Sequence, residues 1–373
     1  MRVLLSTIGT RGEVQPMLGL AVELRARGQD VRVCVPPDFV AWIEGLGFEV
    51  VPIGPELRQT AAPTATVPTP EQRRLMIEGT VATQFTTIQE AARGCDVVVG
   101  CGALQVAARS VTELLGIRYF HVHYCPITLP SPHHAALYAD QWDGVWGPAI
   151  NEHRVSLGLP PVADILGHIV TDQPWLAADP VLGPWPGGLD VVQTGAWFLP
   201  DDSVLPPVLE RFLDAGEPPV YFGLGSMRAP GADIGQVMVQ AARSIGRRAI
   251  LSRGWADLPL ADDGTDCIRI GDTNHAALFE RVAVAVHHGG AGTTATVARA
   301  RVPQVVVPQR YDQPYWAGRV AELGIGVALP QGMPTGVELA AALDQALGME
   351  TVARAMDIRM DGTAVAAERL ITR

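Results

Sequence analysis

Apolar residues along this chain recur in two periods. Short, β-branched runs stand at residues 2–7 (RVLLST), 30–36 (DVRVCVP), 48–53 (FEVVPI), 96–100 (DVVVG) and 117–122 (IRYFHV). Between them lie longer segments whose apolar positions return every three or four residues: 16–28 (PMLGLAVELRARG), 38–47 (DFVAWIEGLG), a stretch near 70–93, and 103–116 (ALQVAARSVTELLG). The first pattern reads as buried strand and the second as amphipathic helix. Their alternation across short turns predicts a parallel, doubly wound sheet. Residues 124–150 are rich in Pro, His and Trp, show no clear period, and read as surface loops.

From 195 to 219 Pro and acidic residues cluster, as in a linker with a short helix. The alternation then restarts. Strand patterns occupy 220–226 (VYFGLGS), 247–254 (RRAILSRG), 266–272 (DCIRIGD), 282–288 (VAVAVHH) and 303–309 (PQVVVPQ). Helical patterns occupy 234–246, 275–280, 290–301 and 313–324, and the last segment, about 350–373, reads as helical. The expected architecture is therefore α/β, with two Rossmann-like parallel-sheet domains facing a cleft between their strand carboxyl ends. The boundaries fall at 1–195 for the first domain, 196–217 for the linker and 218–354 for the second. The final helix, about 355–373, is expected to pack back on the first domain.

Composition narrows the function classes. The chain has 373 residues, 48% hydrophobic and 18% charged, with a formal net charge of −11. That suits two globular domains with ample core. No basic run or stripe is present, so nucleic acid is not an expected partner. The cysteines at 34, 95, 101, 125 and 267 are odd in number and lack Cys-x-x-Cys spacing, which argues against disulfide or zinc frameworks and for a reducing cytoplasm. The apolar run at the N-terminus is too short for a signal peptide, and no run is long enough to span a membrane.

Chemistry concentrates at glycine turns. HHGGAGTT, His287 to Thr294, separates a strand from a helix. Glycines at such a junction let backbone N–H groups approach an anion, and the helix start adds about half a positive charge. No Gly-Lys-Ser/Thr follows, so the motif is not a P-loop. The loop 9–16, GTRGEVQP, carries only two glycines, too few for a dinucleotide fingerprint, and sets Glu13 at the mouth of the expected cleft. Ser226 ends the first strand of the second domain, where its hydroxyl can meet an anion or cap a helix.

RGEVQP near the N-terminus, with HHGGAGTT and PQRYDQPYWAGRVAELGIG near the C-terminus, resembles family 1 glycosyltransferases of the GT-B fold. Within that family TDQPWLAADPVL, VQTGAW, LSRGWADL, DDGTDC and DGTAVAA are similar to the actinobacterial enzymes that glycosylate vancomycin- and teicoplanin-type glycopeptides. The resemblance implies a UDP- or TDP-hexose donor as co-substrate, a glycopeptide aglycone acceptor, inversion of configuration, and no metal or other cofactor. It implies a donor diphosphate held by Thr10, Ser226, His288, Gly290, Gly292 and Thr293. The nucleoside would lie against Arg253, Trp255, Ile270 and Asn274, and the sugar against Asp312 and Gln313. Glu13 takes the place of the catalytic base, where relatives carry Asp or, in plant members, His; Asp312 is the alternative. His121, His123, Tyr124 and Trp142 are candidates for the acceptor pocket. Against the family pattern, residues 130–150 and 349–361 are short. A monomer is expected. Rival readings are a macrolide or aromatic polyketide acceptor, a nucleotide-sugar 2-epimerase acting on the donor alone, and a nucleotide-sugar binding module without turnover.

Overall fold

The computed structural model describes residues 1–60, 68–130, 140–226, 233–255 and 264–372. They form two compact units: Met1–Pro180, Pro184–Leu199 and Met360–Arg373 make unit 1, and Val181–Gly183 with Pro200–Arg359 make unit 2.

Unit 1 runs β1 (Arg2–Thr7), α1 (Arg11–Ala26), β2 (Asp30–Val35), β3 (Glu49–Pro52), α2 (Pro70–Ala91), β4 (Val97–Cys101), α3 (Ala108–Leu115), β5 (Arg118–His123), α4 (Gly147–Ser156), β6 (Trp175–Leu176) and β7 (Val192–Gln193), with short helical turns between. The strands form one parallel sheet of order β3-β2-β1-β4-β5-β6-β7. Its central strands are valine- and leucine-rich and buried on both faces, the composition a covered parallel sheet requires.

Unit 2 runs α5 (Pro207–Asp214), β8 (Val220–Gly223), α6 (Ile234–Ser244), β9 (Ala249–Ser252), β10 (Cys267–Ile270), α7 (His275–Phe279), β11 (Val284–His287), α8 (Ala291–Arg299), β12 (Gln304–Val306), α9 (Gln313–Glu322), β13 (Gly326–Ala328) and α10 (Gly336–Leu347). The parallel order is β10-β9-β8-β11-β12-β13. Successive residues of β8 feed opposite layers: Phe222 packs with Met238, Leu339 and Leu343, while Tyr221 packs with Leu209, Leu278 and Phe279. The chain ends in α11 (Gly362–Thr372), which belongs to unit 1 and packs on α1.

In both sheets the strand order reverses once, between β1 and β4 in unit 1 and between β8 and β11 in unit 2. Such a switch point leaves a crevice beyond the strand carboxyl ends, where doubly wound sheets take their ligands.

Several elements differ from the pattern-based expectation. The first helix starts at Arg11, ahead of Pro16, which sits inside it. Pro16 lacks the N–H that would bond to the carbonyl of Gly12, and its position this near the helix start limits the cost. Residues 140–156 are helical rather than loop, with Trp142 buried and stacked on Trp146 at 5.7 Å. Residues 200–217 are no free linker: Leu205, Leu209 and Leu213 belong to the core of unit 2. Residues 350–372 form two helices, Glu350–Arg354 and α11, separated by a non-helical stretch.

Two glycines allow the chain at 195–199 to cross helices of unit 1. A Cβ at Gly19, inside α1, would lie 2.5 Å from the Phe198 carbonyl oxygen, and one at Gly362 would lie 2.3 Å from that of Ala196. Gly79, exposed in α2, meets nothing within 4 Å. The same substitution therefore has opposite signs at the two helical sites. Gly79→Ala should stabilise by about 0.5–1 kcal/mol through helix propensity. Gly19→Ala should destabilise by about 1–3 kcal/mol through overpacking against backbone. Urea unfolding of the two variants checks this, and a stabilised Gly19→Ala would contradict the crossing.

Candidate functional site

The switch point of unit 2 gathers loops that have room for backbone and little else. β8 ends in Gly223-Leu224-Gly225-Ser226, and Gly225 has φ +59°. β9 ends in Arg253-Gly254-Trp255; the Trp255 N–H donates to the Gly225 carbonyl at 2.9 Å, and a Cβ on Gly254 would lie 2.4 Å from that oxygen. β11 ends at His287, and the chain turns into α8 through His288, Gly289 and Gly290. Gly289 has φ +88°, and a Cβ there would meet Val306 Cγ1 at 2.7 Å. The His288 ring lies between two glycines, for a Cβ on Gly225 or on Gly290 would come within 2.7 Å of it.

α8 starts with no side-chain cap, because its N-cap residue is Gly290. Its first-turn N–H groups, at Ala291, Gly292 and Thr293, thus precede the first internal bond, from Thr294 N–H to the Gly290 carbonyl at 3.0 Å. Thr294 is buried and bonds back to Gly290, while Thr293 is half-buried on the same turn. A helix start with no side-chain cap and an adjacent imidazole is the kind of place at which proteins bind anions.

Burial pushes the His288 imidazole down to about 4, partly offset by the backbone of Gly223. It is therefore neutral near pH 7. Its Nδ1 is enclosed on the Gly225 side and has no hydrogen-bond partner among the described residues, while Nε2 is the atom that faces the helix start, 2.7 Å from where a Cβ on Gly290 would stand. His287 differs. It is fully buried, its Nε2 pairs with Gln304 Oε1 at 2.8 Å, and its Nδ1 accepts from the Gly289 N–H at 3.0 Å, which fixes Nε2 as the protonated nitrogen. Burial, then His288, push His287 down to about 3. It holds the turn from behind.

The other candidates of unit 2 divide. Ser226 is half-buried at the β8 turn. Arg253 is exposed and Trp255 half-buried on the neighbouring turn, and Ile270 closes β10 in the core. The Asn274 side chain is committed elsewhere: it caps α7 by accepting from the Ala277 N–H, and its amide donates to the carbonyls of Asp201 and Ser203 at 2.8 and 3.0 Å. It pins residues 201–203 to the sheet end, and only its backbone remains for a ligand. Gln313 is likewise turned inward, its Oε1 accepting from the N–H groups of Gln309 and Arg310. That bond shapes the loop before α9, where Tyr311 has φ +58°. Asp312 precedes α9, its Oδ2 accepting from Trp316 Nε1 at 3.0 Å; burial raises this carboxyl while the Trp316 bond works against the rise. Sequence reasoning missed the structural duties of Asn274 and Gln313. For Asn274 the signal was present, an Asn at the start of a helical run.

At the switch point of unit 1, Thr10 is the N-cap of α1 without a side-chain cap bond, and Glu13 lies in the first turn. The Glu13 carboxylate curls back to the sheet, where Thr7 Oγ1 donates to Oε2 at 2.8 Å. Tyr124 Oη donates to the Glu13 carbonyl at 3.1 Å. Thr7 and Cys101 are register partners at the ends of β1 and β4.

The acceptor-pocket candidates need correction. His121 and His123 are core residues of β5, 0% and 3% exposed. They belong to a chain of 2.8 Å contacts from Tyr119 Oη to His121 Nδ1, His121 Nε2 to His123 Nε2, and His123 Nδ1 to Thr128 Oγ1. Thr128 donates to the Cys125 carbonyl, so each preceding group donates toward Thr128 and both histidines are neutral. Burial, then His123, push His121 well down; burial pushes His123 down to about 4. Trp142 is buried as well. Tyr124 alone of the set reaches the Glu13 turn. Among the described residues no cluster of His, Cys, Asp or Glu is placed to hold a metal ion, and no helix is long and apolar enough to cross a membrane.

Two doubly wound units, each with a switch point of the kind at which such sheets bind nucleotides, point to a nucleotide-using protein. Comparison with known proteins agrees. Residues 3–131 match the glycosyltransferase family 28 N-terminal domain, and residues 258–368 match the erythromycin biosynthesis protein CIII-like, C-terminal domain. The chain is 49% identical to vancomycin aglycone glucosyltransferase of Amycolatopsis orientalis, over 100% of this chain and 97% of that protein. It is 47% identical to dTDP-epi-vancosaminyltransferase of the same organism, over 96% and 93%. The first alignment runs 397 positions against 373 residues here, so that relative carries segments this chain lacks. Among solved structures, the calicheamicin glycosyltransferase CalG4 superposes with TM-score 0.74 at 18% identity over 99% of this chain and 97% of that one. VinC in complex with dTDP superposes with TM-score 0.69 at 20% identity over 100% and 99%. The chain belongs to the GT-B glycosyltransferases, alongside those of glycopeptide-antibiotic biosynthesis.

The buried histidines give a signed pH dependence. His287 and His288 take protons near the ordinary 6.5 when unfolded, but only near 3 and 4 when folded. Below about pH 6.5 the unfolded chain binds more protons, so stability present at neutral pH is lost as the pH falls toward about 4. Urea midpoints at about pH 7.5 and about pH 5 should show the drop, and His287→Gln should reduce it. A midpoint independent of pH over that range would contradict the neutral assignments.

Proposed function

We propose that this glycosyltransferase moves a hexose from a UDP- or TDP-sugar to a hydroxyl of a glycopeptide aglycone, with inversion and without a metal, as a cytoplasmic monomer. The observation that carries the reading is the start of α8: a helix end with no side-chain cap beside a neutral His288 whose Nε2 faces Gly290. A diphosphate supplies the charge that such a helix end favours. The full-length likeness to vancomycin aglycone glucosyltransferase supports the acceptor class. The likeness to VinC, solved with dTDP, supports the donor class.

Glu13 of unit 1 takes the proton from the acceptor hydroxyl, whose oxygen attacks the anomeric carbon. The C–O bond to the diphosphate breaks with the electron pair leaving on the phosphate oxygen. One displacement gives one inversion. The N–H groups of Gly292 and Thr293, with His288 and Ser226, stabilise the developing charge. Trp255, Ile270 and the backbone at Asn274 hold the nucleoside, and Asp312 receives sugar hydroxyls. Gln313 contributes through the shape of its loop.

Incubation with UDP- and TDP-hexoses and a set of aglycones, followed by product mass, tests the reading. A glycopeptide glycoside formed at the same rate with excess chelator supports it. Product only on macrolide or polyketide acceptors, an isomerised donor without acceptor, or a rate lost to chelator and restored by magnesium would each overturn the part concerned. His288→Ala should raise the donor KM by about 10- to 100-fold, the cost of a hydrogen bond to a charged group, with aglycone binding unchanged. An unaltered donor KM would remove His288 from the donor site.

A further inference from the structure

We propose that Thr7 is the positioning residue of the Glu13 carboxylate. The proposal rests on the reading of Glu13 as the base. Glutamate carries one more rotatable bond than aspartate, and a base must be held in one geometry to act. Three features at the unit 1 switch point do this. Thr7 is fully buried at the end of β1, and its hydroxyl donates to Glu13 Oε2 at 2.8 Å. An ionised carboxylate only accepts, so the direction of that bond is fixed. Glycines then make the space in which the longer side chain folds back. A Cβ on Gly102 would lie 2.8 Å from Oε2 and 2.9 Å from Oε1, and one on Gly9 would overlap Oε2. Finally, Tyr124 Oη holds the Glu13 carbonyl, so the backbone is tied to the end of β5 while the carboxylate is tied to β1. Thr7 touches neither donor nor acceptor in this reading and acts through Glu13.

A hydrogen bond to the charged form also lowers the basicity of a carboxylate. Removing the Thr7 hydroxyl therefore loosens the base and makes it more basic at once. That gives a signature which general destabilisation does not produce.

The test compares Thr7→Val, Thr7→Ser, Glu13→Gln and the Thr7→Val/Glu13→Gln double variant in steady-state kinetics, each first shown to be folded by its unfolding midpoint. Valine keeps the shape of threonine without the hydroxyl, and serine keeps the hydroxyl. Thr7→Val should lower kcat by about 10-fold or more, leave the donor KM within about twofold, and move the acid limb of kcat/KM to higher pH. Thr7→Ser should recover most of the rate, and the double variant should be no slower than Glu13→Gln. If Glu13→Gln collapses turnover while Thr7→Val keeps the parent rate, the positioning role fails and the base stands. If Glu13→Gln itself keeps the parent rate, the base reading fails and Thr7 loses its role with it. A Thr7→Val loss that serine does not restore, or that multiplies with Glu13→Gln, also overturns the proposal.

Discussion

The turn from β11 into α8 leaves no space for side chains, and the rest of unit 2 is arranged around that. His288 is wedged between Gly225 and Gly290; Gly289 is pressed on Val306; Gly254 lies against the Gly225 carbonyl. The ends of β8 and β9 thus meet through their backbones, and the end of β11 reaches β8 through the His288 ring. Left-handed backbone at Gly225, Gly254 and Gly289 makes the contact possible, since other residues adopt it at a cost. The outcome is a helix start whose donors cannot be capped by their own chain and an imidazole that burial keeps neutral. A neutral imidazole suits this place. An uncharged imidazole can donate a hydrogen bond without forming an ion pair.

Unit 1 applies the same topological rule to a different chemistry. Its switch point, between β1 and β4, presents a carboxylate where unit 2 presents an uncapped helix start. The difference lies in a few residues at equivalent strand ends: Thr7, Glu13 and Gly102 in one unit, Gly225, His288 and Gly290 in the other. Two polar groups in the interior of unit 1 find their partners within it, whereas Ser6 Oγ and the Gln105 amide are buried without a hydrogen-bond partner among the described residues. The Tyr119–His121–His123–Thr128 chain ends on a backbone carbonyl, and Arg154, Ser110, Glu113 and His168 form a second closed group. Both take their partners from within unit 1, and Glu113 of the second group keeps its side chain 32% exposed.

The fold was legible because a parallel sheet leaves a strong trace: valine-rich strands at regular distance from amphipathic helices. The glycine turn from β11 into α8 was legible for a similar reason, since His-Gly-Gly between a strand and a helix admits few geometries. Individual side-chain duties were harder to read. Asn274 and Gln313 stand in the motif region, yet their amides are spent on backbone groups of residues 201–203 and 309–310, which no local pattern reveals. The histidines of IRYFHVH alternate with Val122 on a strand that is buried on both faces, so burial of His121 and His123 depends on layers far away in sequence. Trp142 was taken for loop because proline, glycine and tryptophan mask the helical period around it. Thr7 carried no sequence signal at all, since its role exists only once Glu13 folds back.

The central claim is that a nucleotide diphosphate sits at the start of α8 beside a neutral His288. Heteronuclear NMR of the protein carrying labelled histidine and backbone nitrogen, titrated with dTDP and with UDP, tests it most directly. The His288 ring and the amides of Gly290, Gly292 and Thr293 should shift in a saturable way, while the ring of His287, held by Gln304 and Gly289, keeps its tautomer. Saturable shifts that leave residues 288–293 unmoved would contradict it.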